Sequence, residues 1–188
     1  RLDAFYDAGV RMVGLVHMTN NQFADSSTDP DGPKWNGLSP LGKELIQRAN
    51  ALGMIVDMSH AHDEALAQAI NLSTTPVILS HSGAGHLYEH PRNVNDALLL
   101  SLAESGGVIH INSLSAYLKD LNLDPARWSA LSALYKQLQE NPLKSDADTK
   151  AFLESRRAID KKYPPNFASF DDVMAHILYA HELVGAAH

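Results

Sequence analysis

The chain has 188 residues, 45% of them hydrophobic and 20% charged, which is ordinary globular composition and enough for one sizeable core. A net charge of −7, with no Lys/Arg-rich run, argues against a nucleic-acid surface. The absence of cysteine excludes disulfides and thiolate ligands, so any bound metal must be held by His, Asp or Glu, and no segment approaches the roughly 18–20 apolar residues of a membrane span.

Residues 1–10 read as the end of a helix already in progress, without an initiator Met or signal peptide ahead of it. GVRMVGLVH (9–17) is a mostly apolar strand candidate, followed by a long loop over 18–37 rich in Asn, Asp, Ser and Pro. Ser39 and Pro40 open a helix as N-cap and first residue, and Gly53 stops it. A strand over 54–59, a helix over 62–72, a strand over 76–80, a helix over 93–105 and a strand over 107–112 come next. From 113 to about 165 an amphipathic segment (126–140) and a heavily charged one (146–163) read as a helical insertion between two core elements, not a separate domain. A last helix opens with Ser169 and Asp172 as a capping box and closes at Gly185, where a further strand is expected. The chain therefore reads as an internal piece of a longer protein.

Strands alternating with helices predict a parallel sheet, and near-continuous apolar strands predict burial on both faces, so the class is α/β. Pattern alone leaves barrel and open sheet as alternatives. No G-x-G-x-x-G follows a strand, and Gly83-Ala84-Gly85 is too short a glycine signal for a phosphate loop.

His17, His60 and His81 each stand at the last position of a predicted strand, and Asn112 does too. In parallel α/β architectures that end of the strands carries the ligand, because the loops converge there. Alternation puts His60 on one face with Val56 and Met58, and His81 with Val77 and Leu79. Neutral imidazole is the commonest metal ligand. A lone strand-end His more often closes a structural hydrogen bond, but two after the same apolar-Ser pattern, one β/α unit apart, favour a shared ligand. His62 at a helix start reads as neutral and solvated, His86 and His90 as surface loop residues in preference to lining a site, His110 as a packed core residue, and His176 and His181 as structural. Arg92 lies in a loop near the same rim, where its planar fork would match a carboxylate or cap a neighbouring loop.

Taken together, several collinear stretches resemble the membrane (renal) dipeptidase family of zinc peptidases. They are GVRMVGLVH with Asn20-Asn21 and ADSS (24–27), GLSPLGKELIQRANALGMIVDMSH (37–60), PVILSHSGA (76–84), HPRNV (90–94) and GGVIHIN (106–112). The resemblance covers residues 1 to about 112 and the last twenty or so. It implies part of a (β/α)8 TIM-type barrel with the helical insertion at about 113–165, the whole of 1–188 being a single incomplete barrel domain truncated at both ends. It also implies hydrolysis of dipeptides by a metal-bound hydroxide, with two zinc ions in the full-length protein. By the same resemblance His60 and His81 are ligands of one zinc, His17 binds substrate and helps stabilise the tetrahedral intermediate, and Arg92 holds the substrate carboxylate. Asn112 is a candidate lining residue. The family's first-strand His-x-Asp pair and bridging Glu would precede Arg1, and its catalytic Asp would follow His188, so the chain alone is expected to be inactive. Gly83 stands where the family more usually has Ser, and Asn95 where it more usually has Pro.

The expected partner is a dipeptide substrate, with no nucleic acid, no membrane span in this segment, and a homodimer left open. Export to a periplasmic or membrane-anchored location is what the family suggests, the targeting segment lying outside the chain. Rival readings are another binuclear-metal barrel amidohydrolase (an amidase or lactonase) and a non-catalytic barrel scaffold.

Overall fold

A computed structural model describes residues 2–121 and 124–188. Arg1, within the expected helix end, and residues 122 and 123, inside the expected insertion, lie outside the described residues. The chain divides into two compact units, one of residues 1–119 with 169–188 and one of residues 120–168.

The first unit is a parallel α/β sheet. It runs α1 (Leu2–Asp7), β1 (Met12–Gly14), α2 (Pro40–Leu52), β2 (Ile55–Asp57), α3 (Asp63–Leu72), β3 (Ile78–Ala84), β4 (Asn93–Val94), α4 (Asp96–Glu104), β5 (Val108–Ile111) and the short α5 (Ser115–Leu118). The second unit holds α6 (Pro125–Glu140) and α7 (Asp146–Lys162), and the chain re-enters the first unit as α8 (Phe170–Val184). All strand pairings are parallel, in the order β1-β2-β3, with β4 and β5 both pairing with β3.

The helix ends follow local chemistry. Ser39 Oγ accepts from Gly42 N–H with Pro40 at the first helical position, and Gly53 closes α2 at φ 72°. Ser169 and Asp172 form both halves of a capping box at α8. Asn95 caps α4 through Leu98 N–H, a bond that a proline could not make from its side chain. Gly42 serves contact: a Cβ there would collide with the carbonyl of Phe23, so the first turn of α2 lies directly on the long loop.

The core fills the helix-facing side of the sheet. Val56, Val77, Leu79 and Ile109 pack with Ile46, Ala49, Leu66, Ala69, Leu99, Leu102 and Ala180. On the opposite side Met12 and Ile55, which face each other in register, are 45% and 44% exposed. That open side corrects one expectation. His110 is exposed, not packed in the core, because it alternates with Ile109 and so projects from the uncovered face.

The strand ends also differ from the expected ones. β2 stops at Asp57, because Ser59 N–H turns back to the Asp57 carboxylate at 3.0 Å. β3 runs on through His81 to Ala84, because Gly83 and Ala84 pair with Asn93 and Val94. A side chain at Gly83 would collide with the carboxamide of Asn93, which explains glycine at this position. The expected helix over 93–105 therefore begins as a short strand, and α5 falls within what was expected to be insertion.

One histidine ties helices to sheet. His176, 2% exposed, accepts Ala84 N–H at Nδ1 (3.1 Å) and donates from Nε2 to Leu118 O (3.2 Å). Burial lowers its pKa, against the opposing effects of the Leu118 carbonyl and Asp172. Because the folded pKa lies below the ordinary 6.5, the unfolded chain binds more protons as the pH drops past 6.5. Stability of this unit should fall as the solution is acidified below that value, and His176→Leu should flatten that dependence while costing about 1–3 kcal/mol for the two groups left unpaired. Urea titrations of both proteins between pH 7.5 and 5 check this.

Candidate active site

Three imidazoles meet at the C-terminal end of β1, β2 and β3. The rings of His17 and His60 are 4.3 Å apart between centroids, and those of His60 and His81 are 4.8 Å apart. The Nε2 atoms of His60 and His81 lie 2.8 Å from one another. These contacts span three strands, so they follow from the parallel order and not from sequence proximity.

Each ring reaches this point by a different local device. His17 lies three residues beyond β1; its carbonyl accepts Ser26 Oγ–H at 2.6 Å, and its ring is exposed. His60 sits at φ 72°, a left-handed conformation that breaks the expected alternation with Val56 and Met58. Its turn is held by Ala61 N–H to Met58 O (3.1 Å) and by Ser27 N–H to its own carbonyl (2.9 Å). His81 lies inside β3, where a register shift relative to β5 sets Ser80 and His81 together against the single residue His110. Such a bulge re-aims a side chain.

The long loop over 18–37 is organised around Asp25, fully buried, whose carboxylate accepts the backbone N–H groups of Lys34, Trp35 and Gly37. Its backbone N–H and C=O bond Gly37 and His62, tying the loop to the segment after β2. His62 caps α3 by accepting Glu64 N–H at Nδ1, so that nitrogen is unprotonated.

Arg92, 2% exposed, enters from the loop before β4. Its Nη2 donates to His81 O (2.8 Å), and its guanidinium lies 5.5 Å from the centre of the Tyr117 ring. Among the described residues the buried Nε–H has no hydrogen-bond partner. His90 accepts Arg92 N–H at Nδ1 (3.0 Å) and packs 4.8 Å from Tyr117, so it is built into the Arg92 loop and is not the surface residue expected. Asn112 accepts Leu114 N–H at its side-chain oxygen (2.7 Å); among the described residues no hydrogen bond joins it to the three imidazoles.

The electrostatics favour neutral rings. Burial, then the charge of Arg92 and the neighbouring imidazoles, push His60 down to about 4, with Asp57 opposing. Burial and Arg92 lower His81 and His90 as well. Burial disfavours the Asp57 charge, but hydrogen bonds from Ser80 and Ser59 outweigh it and hold the carboxyl below its usual range. At neutral pH the pair of Nε2 atoms is thus an uncharged donor set. Two nitrogens on one tetrahedral zinc would stand about 3.3 Å apart, close to the gap seen here. Among the described residues no group of three His, Asp or Glu side chains forms a fuller cluster.

The membrane dipeptidase family (peptidase family M19) matches the chain over residues 1–188. The chain belongs to that family. An uncharacterized dipeptidase of Schizosaccharomyces pombe is 44% identical to it over 118 residues, covering 62% of this chain and 28% of the relative. Dipeptidase tcpJ of Claviceps purpurea is 43% identical over 111 residues, covering 59% and 26%. The crystal structure of the probable dipeptidase PvdM from Pseudomonas aeruginosa superposes with a TM-score of 0.73 at 30% identity, covering 98% of this chain and 50% of that one. This dipeptidase-family chain therefore spans under a third of those two curated relatives and half of PvdM.

Four of the five residues singled out in the sequence, His17, His60, His81 and Arg92, come together in this family member. Asp57, Ser80 and Tyr117 were not singled out, and His90 was ranked as a surface residue. An Asp inside the apolar run MIVDMSH was the available signal for the first of these.

The left-handed backbone at His60 gives a direct test. A non-glycine residue there stores strain of about 1 kcal/mol or more. His60→Gly should unfold at higher urea than His60→Ala by about that amount. Equal midpoints for the two variants would contradict the strain assignment.

Proposed function

We propose that the protein hydrolyses the peptide bond of dipeptides with the help of zinc, in a polypeptide that supplies more of the site than these residues do. The observation that carries this reading is the convergence of two neutral Nε2 atoms, 2.8 Å apart, beside a buried arginine with an unused N–H. Membership of the dipeptidase family supports the substrate class. The exposed Met12 and Ile55 on the face away from the helices support a sheet that is part of a (β/α)8 barrel.

In this reading His60 and His81 hold one zinc, and further ligands, including those of a second zinc, come from outside these residues. The metal would activate water near neutral pH and polarise the scissile carbonyl. This chain's own residues do the rest of the work assigned to them. Arg92 binds the C-terminal carboxylate of the substrate: its Nη2 is anchored on the His81 carbonyl, which leaves the Nε edge to donate. The positive charge is already desolvated, so the carboxylate meets a fixed, dry partner. His17, exposed and tilted against the His60 ring, donates an N–H to the carbonyl oxygen as negative charge builds there. The distance between Arg92 and the ring cluster then sets a short substrate.

The experiment is a hydrolysis panel of dipeptides, N-acyl amino acids and lactones with that longer polypeptide, purified, before and after chelation and after zinc is restored. Dipeptide cleavage that disappears on chelation and returns with zinc is expected. Cleavage of the other classes alone would point to a different barrel hydrolase, and inertness with no zinc bound would point to a scaffold. Arg92→Ala should raise KM for dipeptides at least tenfold, and an unchanged KM would remove its assigned role.

A further inference from the structure

Behind His81 lies a chain of polar groups that the proposed chemistry has not used. Asp57, in β2 and largely buried, receives three hydrogen bonds. Ser59 N–H and Ser80 N–H donate to Oδ1 at 3.0 and 3.1 Å, and the Ser80 hydroxyl donates to Oδ2. Ser80 Oγ also lies 2.7 Å from His81 Nδ1. Ser59 Oγ accepts His81 N–H at 3.0 Å and closes the group 3.4 Å from Ser80 Oγ.

Proton counting fixes the direction of these bonds. An ionised carboxylate only accepts, and a serine hydroxyl has one hydrogen. The Ser80 hydrogen therefore goes to Asp57, which leaves Ser80 Oγ as the acceptor for His81. The ring proton of His81 must then sit on Nδ1, and Nε2 is left with its lone pair. His60 has no such backing among the described residues: its Nδ1 is buried without a hydrogen-bond partner there.

We propose that Asp57 and Ser80 are positioning residues for His81, a carboxylate–hydroxyl–imidazole relay that locks the Nδ1–H tautomer and presents a bare Nε2 to the metal. The proposal rests on the zinc reading above for its purpose, but the tautomer it assigns can be measured without metal. Outer partners of this kind, oriented by hydrogen bonds, typically contribute 10–100-fold to metal affinity. The two bonds from Ser80 cross-link β3 to β2, so the relay also sets the separation of the two strands that deliver His60 and His81.

Asp57→Asn is the informative variant, because it should reverse the relay without removing it. The carboxamide oxygen can still accept the two backbone N–H groups, while its NH2 donates to Ser80 Oγ. The Ser80 hydrogen is then free for His81 Nδ1, at 2.7 Å a closer acceptor than Ser59 Oγ at 3.4 Å, and the ring proton is driven to Nε2, where it blocks the metal. Nitrogen-15 spectra of the metal-free protein at pH 7.5 should show His81 with a protonated Nδ1 and a bare Nε2, and the two signals exchanged in Asp57→Asn. Zinc affinity, by competition with a chromophoric chelator, should drop at least tenfold in Asp57→Asn and in Ser80→Ala, and stay within about threefold of wild type in Ser80→Thr. If Asp57→Asn does not fold, the contrast between the Ser80 variants carries the test. Protonation of His81 at Nε2 in the wild type, or equal zinc affinity in Ser80→Ala and Ser80→Thr, would overturn the relay. A wild-type protein that binds no zinc would overturn the metal reading instead, with the ring spectra still judging the relay.

Discussion

The arrangement of the site depends on one carboxylate. Asp57 ends β2, draws Ser59 back over the strand end, and takes both the backbone N–H and the hydroxyl of Ser80 from β3. Without it the ends of β2 and β3 would keep the pairing at Asp57 and Ile78, the Met58 N–H to Ile78 O bond and the His81 N–H to Ser59 Oγ bond, but no charged anchor. With it, the two histidine-bearing segments are fixed to the same atom group. A buried charge is costly unless every lone pair is used, and this one is used by three donors. The strain at His60 and the irregular register at His81 are both tolerated around this fixed point.

Much of the punctuation was legible in the sequence. Ser39-Pro40 and Gly53 bracket α2, and Ser169 with Asp172 starts α8, because caps and left-handed stops act within a few residues of themselves. The parallel α/β class followed from apolar runs alternating with helices. The ends of the strands were not legible, because they are decided by partners distant in sequence: β4 prolongs β3, and the side chain of Asp57 ends β2. Strict alternation failed at His60 and His81 for the same reason. A turn with positive φ and a register shift each rotate a residue off the pleat, and neither is signalled by hydrophobic pattern. His110 was misplaced because an apolar strand was assumed covered on both sides, whereas the face it shares is open.

The histidines divide by what their ring nitrogens do. His62 and His176 spend them on backbone groups, one as a helix cap and one as a tie between β3, α5 and α8. His90 spends one on the Arg92 loop. His60 and His81 turn theirs toward each other across two strands. Nothing in the immediate sequence around His176 or His90 separates them from site residues, and only the fold assigns them.

Arg92 has a consequence beyond any grip on a carboxylate. Its charge, sealed from solvent, disfavours protons on His60, His81 and His90 alike. An approaching divalent ion would feel the same repulsion at twice the strength that a proton does. Any cation held by these rings would therefore depend on directional coordination more than on bulk attraction.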